Sequence, residues 1–121
     1  MMPFHYRHVA WLALVVALQG NATPHQIDVR ESLASCSEPT VIFPAEAQKA
    51  HLEGRAVVYT VIDTSGNVSE AKVQVSSGRV ILDVAALTAA RTIKCPPFRD
   101  PQSGEVTSVY FLKPFVFKLQ N

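Results

Sequence analysis

The chain of 121 residues has little of several things at once. It carries two cysteines, five glycines and one tryptophan, and neither sign of charge dominates: 11 Lys and Arg stand against 10 Asp and Glu, a formal charge of +1. The length leaves room for one domain. Near-neutrality denies it the basic footprint that phosphate binding requires, which argues against nucleic acid as a partner. No Lys/Arg cluster is present to hold an anionic membrane surface. The chain has no C-x-x-C for redox work, no phosphate-cradling P-loop, no G-x-G-x-x-G and no G-x-S-x-G. Beyond the first 22 residues the histidines are His25 and His51, and neither has an acidic neighbour at a spacing that would make a proton relay. These absences argue against an enzyme, a cofactor and a small-molecule substrate.

What is present begins with an export signal. Arg7 supplies a positive start, Val9–Leu18 is an apolar run of about ten residues, and Gly20-Asn21-Ala22 offers a small-x-small cleavage site. A membrane-spanning helix needs about 20 apolar residues, and Gln19, Gly20 and Asn21 cut this run short. The reading is a signal peptide over 1–22, a flexible lead-in over 23–35, and a periplasmic domain over 36–121. The alternative is an uncleaved inner-membrane anchor over residues 3–19. Removal of 1–22 takes away Arg7 alone among the Lys, Arg, Asp and Glu residues and leaves a formally neutral chain.

Both cysteines, Cys36 and Cys95, lie in the exported part. An even count in an oxidising compartment suggests one disulfide. A loop of this length gives on the order of 4 kcal/mol on the chain-entropy view. Two other readings stay open on the residues alone: a pair of buried thiols, or a zinc site of Cys36, Cys95, His25 and His51. No two of those ligands have the close spacing usual in structural zinc sites.

The elements follow from periodicity. Pro44–Gly54 reads as a short helix, with proline in its first turn and Gly54 as the left-handed residue that ends it. Arg55–Asp63 is rich in β-branched residues and apolar on both faces, as a central strand would be. Asp63–Asn67 is a turn. Val68–Val75 returns with Ala71, Val73 and Val75 on one face and Glu70, Lys72 and Gln74 on the other. Ser76-Ser77-Gly78 is a strand-to-helix turn. A second helix runs from there toward Cys95, ended by Pro96 and Pro97. Leu82, Ala85, Ala86, Ala89 and Ile93 share its apolar face, and Asp83 suits free N–H groups at its start. After the polar loop Arg99–Glu105, Val106–Leu119 is one long strand. Pro114 and the lysines Lys113 and Lys118 mark it as an edge. The order helix-strand-strand-helix-strand predicts an α+β fold, two helices packed on a small three-stranded antiparallel sheet.

In that order and spacing the chain resembles the TonB C-terminal domain family. The resemblance runs over about 80 residues, from Cys36-Ser37-Glu38-Pro39, Pro44-Ala45 and Ala47, through Leu52-Glu53-Gly54, Val57, Val58, Asp63, Gly66 and Val68. It continues through Val75-Ser76-Ser77-Gly78, Leu82-Asp83, Ala85-Ala86-Leu87, Cys95 and Pro96-Pro97-Phe98 to Pro114-Phe115-Val116-Phe117. A subset of the family carries paired cysteines at the positions of Cys36 and Cys95, which supports the disulfide. The resemblance implies a periplasmic module of TonB-type transport. Its last strand would accept an extended peptide of a protein partner, such as the periplasmic segment of an outer-membrane receptor. Carried onto this chain, the accepting edge comprises Val109, Tyr110, Phe111, Leu112, Lys113, Phe115, Val116 and Phe117. The physics agrees, because an open edge offers unpaired N–H and C=O groups.

The rival readings concern the same edge. It could be capped by the lead-in, or it could pair with a second copy in a homodimer used for assembly. The chain also departs from the energy transducers of the family, which have a full anchor and a long proline-rich spacer. That departure argues against force transmission, and an uncleaved, anchored transducer is the third alternative.

Overall fold

The computed structural model describes residues 25–26 and 35–120. The signal segment 1–22 and most of the lead-in 23–35 expected above lie outside the described residues. The elements in chain order are β1 (His25–Gln26), α1 (Ala45–Lys49), β2 (Gly54–Ile62), β3 (Val68–Val75), α2 (Val80–Ala90), β4 (Phe98–Arg99), β5 (Val106–Thr107) and β6 (Val109–Phe117). Strands β6, β2 and β3 form the expected antiparallel sheet with β2 in the centre. Two additions extend it: β1 lies parallel beside the outer side of β6, and β4 pairs with β5 in a separate two-stranded ribbon.

Side-chain size sets how the layers meet. Ala56, Val58 and Thr60 on β2 are fully buried, and above them Leu82, Ala86, Ala89 and Ala90 of α2 are buried too. The alanines let helix and sheet approach closely, while Phe115 and Phe117 of β6 fill the flank of the same cluster. A second cluster gathers Ile62, Ile93, Cys95, Val109 and Phe111 around the disulfide. Burying each of these larger side chains contributes roughly 1.5–3 kcal/mol. The opposite face of the sheet carries no helix among the described residues.

Four expectations need correction. The first helix is five residues long, and its left-handed terminator is His51 (φ 57°), not Gly54. The N–H of Leu52 donates to the Ala47 carbonyl at 2.9 Å and the N–H of His51 to the Gln48 carbonyl at 3.0 Å, the paired bonds of a Schellman motif. Gly54 opens β2 instead, where a Cβ would meet Ser77 Cβ at 3.0 Å. In β3, Ala71 packs on the core, but the register shifts between Val57 and Val58, setting Val75 opposite Val57. That irregularity breaks the alternation and leaves Val75 52% exposed. The second helix ends at Ala90, short of Cys95, and Thr92 Oγ1 donates to the Ala89 carbonyl at 2.7 Å. The final strand is divided at Ser108, since Val106 and Thr107 pair with β4 rather than β2.

The turn before α2 behaves as Ser76-Ser77-Gly78 suggested, with Gly78 at φ 89°. Asp83 does not cap its own helix. Its carboxylate accepts from Ser76 Oγ at 2.5 Å, Ser77 Oγ at 2.7 Å and the Ser77 N–H at 2.8 Å. Burial pushes its pKa up, but these three hydrogen bonds outweigh that and hold it below the usual carboxylate value.

Candidate functional site

The outer margin of β6 is built from three constraints. First, β2 pairs with β6 over its whole length, from Gly54 opposite Phe117 to Ile62 opposite Val109. Second, the odd-numbered side chains point at the helices: Val109, Phe111, Phe115 and Phe117 are each 3% exposed or less. Third, the even-numbered ones point to the bare face, where Leu112 is 39% and Val116 62% exposed. Tyr110 packs its ring 5.1 Å from that of Tyr59, and Lys72 Nζ lies 4.8 Å above Tyr59.

Backbone polarity follows the same alternation, because successive residues of an antiparallel strand turn their N–H and C=O to opposite sides. Just past β6 the N–H of Leu119 donates to Glu53 Oε2 at 2.7 Å, on the β2 side. Odd-numbered N–H groups therefore face β2, and the even-numbered positions Tyr110, Leu112, Pro114 and Val116 face outward. A proline inside an unbroken ladder is accommodated in this orientation. The missing donor of Pro114 thus falls on the outer margin, between Leu112 and Val116.

The predicted edge residues divide accordingly. Val109, Phe111, Phe115 and Phe117 contribute core side chains and turn their backbone N–H and C=O groups to β2, so they add no polar group to the outer margin. Tyr110, Leu112 and Val116 offer side chains on the bare face. Lys113 is half-buried on the helix side, near Glu38 and Phe111, where a notch of about 40 Å³ opens beside Cys36–Pro39. β1 covers the margin at Val109 and Tyr110, with His25 opposite Val109 and Gln26 opposite Tyr110. No other described strand lies along the remainder.

The disulfide joins Cys36 to Cys95 with the Cα atoms 4.1 Å apart, across 59 positions of sequence. It consumes both sulfurs, so the free-thiol and zinc readings fall. Its flanks are fastened as well. The Ser37 N–H donates to the Lys94 carbonyl at 2.7 Å, and the Lys94 N–H donates to Ser37 Oγ at 2.9 Å. The segment that carries Cys36 is thereby pinned beside β6. His51 is exposed at the end of α1.

One feature escaped the sequence reading. An apolar groove of about 440 Å³ runs between Thr40–Pro44 and the outer side of α2, lined by Ile42, Ile81, Val84 and Ala85 among others. Ile81 and Val84 were its signal, apolar residues off the face that Leu82, Ala86 and Ala89 define.

Comparison with solved structures finds the same architecture. The solution structure of the Pseudomonas aeruginosa TonB C-terminal domain aligns with a TM-score of 0.59 at 21% identity, covering 73% of this chain and 90% of that one. The Helicobacter pylori TonB C-terminal domain aligns with a TM-score of 0.52 at 27% identity, covering 66% and 70%. A search of curated proteins found no match. The sequence model of the Gram-negative bacterial TonB protein C-terminal family matches residues 39–119. That match spans more than half of the chain, from the disulfide-pinned segment to the end of β6, and the chain belongs to this family of TonB-type transport domains.

Proposed function

We propose that the protein is a non-catalytic periplasmic binding module, which receives an extended segment of a protein partner along the outer margin of β6. The observation that carries this reading is the stretch Phe111–Phe117, held by β2 on one side and bordered by no described strand on the other. Strand addition takes its affinity from backbone hydrogen bonds and its selectivity from alternate side chains. Here the outward groups are those of Leu112 and Val116 and the Pro114 carbonyl. Side chains of the added strand on the bare face would lie beside Leu112 and Val116, which favours apolar residues at alternate positions. Family membership supports a partner in the cell envelope, such as the periplasmic segment of an outer-membrane receptor. Export with cleavage after Ala22 belongs to the same reading. Among the described residues no helix is long and apolar enough to cross a membrane.

The test is an amide-resolved titration of the exported protein with a synthetic peptide copying the periplasmic N-terminal segment of an outer-membrane receptor from the same organism. The expected result is perturbation and slowed exchange of the Leu112 and Val116 N–H groups, lost in Leu112→Pro. Perturbation confined to the groove beside α2, or a dimer through β6 that no peptide displaces, would overturn it.

A further inference from the structure

We propose that β1 is a built-in competitor for the β6 margin, so that a partner strand binds by displacing the protein's own amino-terminal segment; this rests on the reading of that margin as the peptide site. His25 and Gln26 are aligned in parallel with Val109 and Tyr110, and Tyr110 is one of the outward-facing positions. The chain thus already performs in cis, over two residues, what a partner would perform over the rest of the strand. Among the described residues the pairing covers Val109 and Tyr110, and the margin continues through Phe111–Phe117.

The energetics suit a displaceable cap. Two paired residues supply one or two backbone hydrogen bonds, each a factor of roughly five in an equilibrium. Gln26 precedes the disulfide-anchored Cys36 by about ten residues, and a tether of that length gives an effective concentration on the order of millimolar. Such a cap shields Val109 and Tyr110 from casual pairing, yet yields to a strand that pairs along the entire margin. It also sets a length threshold. A peptide confined to Leu112–Phe117 need not displace it, whereas one that reaches Tyr110 must.

The experiment compares the exported protein with its His25→Pro/Gln26→Pro variant, in which β1 has no N–H to donate. Two readouts are taken: hydrogen exchange at the Tyr110 amide, and binding of a fluorescein-labelled peptide with the sequence of residues 23–32. Exchange at the Thr60 amide in the sheet interior controls for intact folding. The expected result is about fivefold faster exchange at Tyr110 and about fivefold tighter peptide binding, with Thr60 unchanged. Unchanged Tyr110 exchange would show that β1 does not cap the margin. Faster exchange with unchanged peptide affinity would show that the cap does not compete. Either outcome overturns the inference alone. Failure of both proteins to bind this peptide, together with failure of the receptor peptide to perturb Leu112 and Val116, overturns the peptide-site reading and this inference with it.

Discussion

The Cys95 N–H donates to the Gly66 carbonyl at 2.9 Å, and this approach is so close that a Cβ on residue 66 would lie 1.8 Å from the Cys95 carbonyl oxygen. Gly66 sits at φ 88° in the β2–β3 turn. Two independent constraints thus demand glycine: a left-handed backbone and contact with backbone that the disulfide holds in place. Gly66→Ala is expected to cost at least about 3 kcal/mol, combining positive-φ strain with overpacking against an atom that cannot yield. Denaturant unfolding measures it. A loss under 1 kcal/mol would show that the turn can move away from Cys95.

The Cys36–Cys95 bond closes a 59-position loop and carries the segment that flanks β6. Replacing both cysteines by alanine is expected to lower stability by about 2–5 kcal/mol. Adding dithiothreitol should shift the melting temperature of the parent protein and leave that of the variant in place.

Asp83 gives an acid signature. Its folded-state pKa is lowered, so its contribution is fully present above about pH 4, the unfolded carboxylate value. The contribution is lost as pH falls through the lower folded value. Asp83→Asn should therefore destabilise at neutral pH, by about 1 kcal/mol by analogy with helix-cap carboxylates. The gap between the two proteins should close toward pH 2. Chemical denaturation at a series of pH values reads this directly, and a gap that widened on acidification would contradict the hydrogen-bond network at Ser76 and Ser77.

His51 pays for its left-handed position in backbone strain. His51→Gly should stabilise by about 0.5–1 kcal/mol, because glycine enters that region without steric cost. His51→Val should destabilise. Thermal unfolding of the two variants gives opposite shifts if the Schellman geometry is as described.

Pro114 leaves one donor missing from the outer margin, as Lys113 and Lys118 add charge near it. Pro114→Val supplies that donor. The expected outcome is about fivefold tighter binding of an edge-pairing peptide, for one added hydrogen bond, accompanied by self-association. Sedimentation over a concentration range checks the second effect, and unchanged affinity with no association would place the nitrogen on the β2 side.

Much of this architecture was legible residue by residue. The β-branched run ending at Ile62 and the small-residue face at Leu82, Ala86 and Ala89 announced the central strand and its covering helix. What remained hidden depended on partners far along the chain. Gly54 looked like the helix terminator because glycine is the usual left-handed residue, yet its place is set by contact with Ser77. Val75 left its predicted face because the β2–β3 register shifts by one residue, which no local pattern encodes. Ser108 divides the last strand because Val106 and Thr107 answer to Phe98 and Arg99. At the site, the strand was found but the direction of the Pro114 nitrogen required the pairing with β2. The two-residue β1 is too short to leave a periodic trace.

The burial of Phe115 and Phe117 beneath the helices gives β6 a mechanical character. The strand whose margin we propose as the binding surface is also keyed into the hydrophobic interior by aromatic rings and laced to β2 over all nine of its residues. A tug applied lengthwise to a chain laid along it would load those bonds together, in shear, instead of opening them singly from one end. The grip on such a chain would then give way at the added ladder before β6 is torn from its seat.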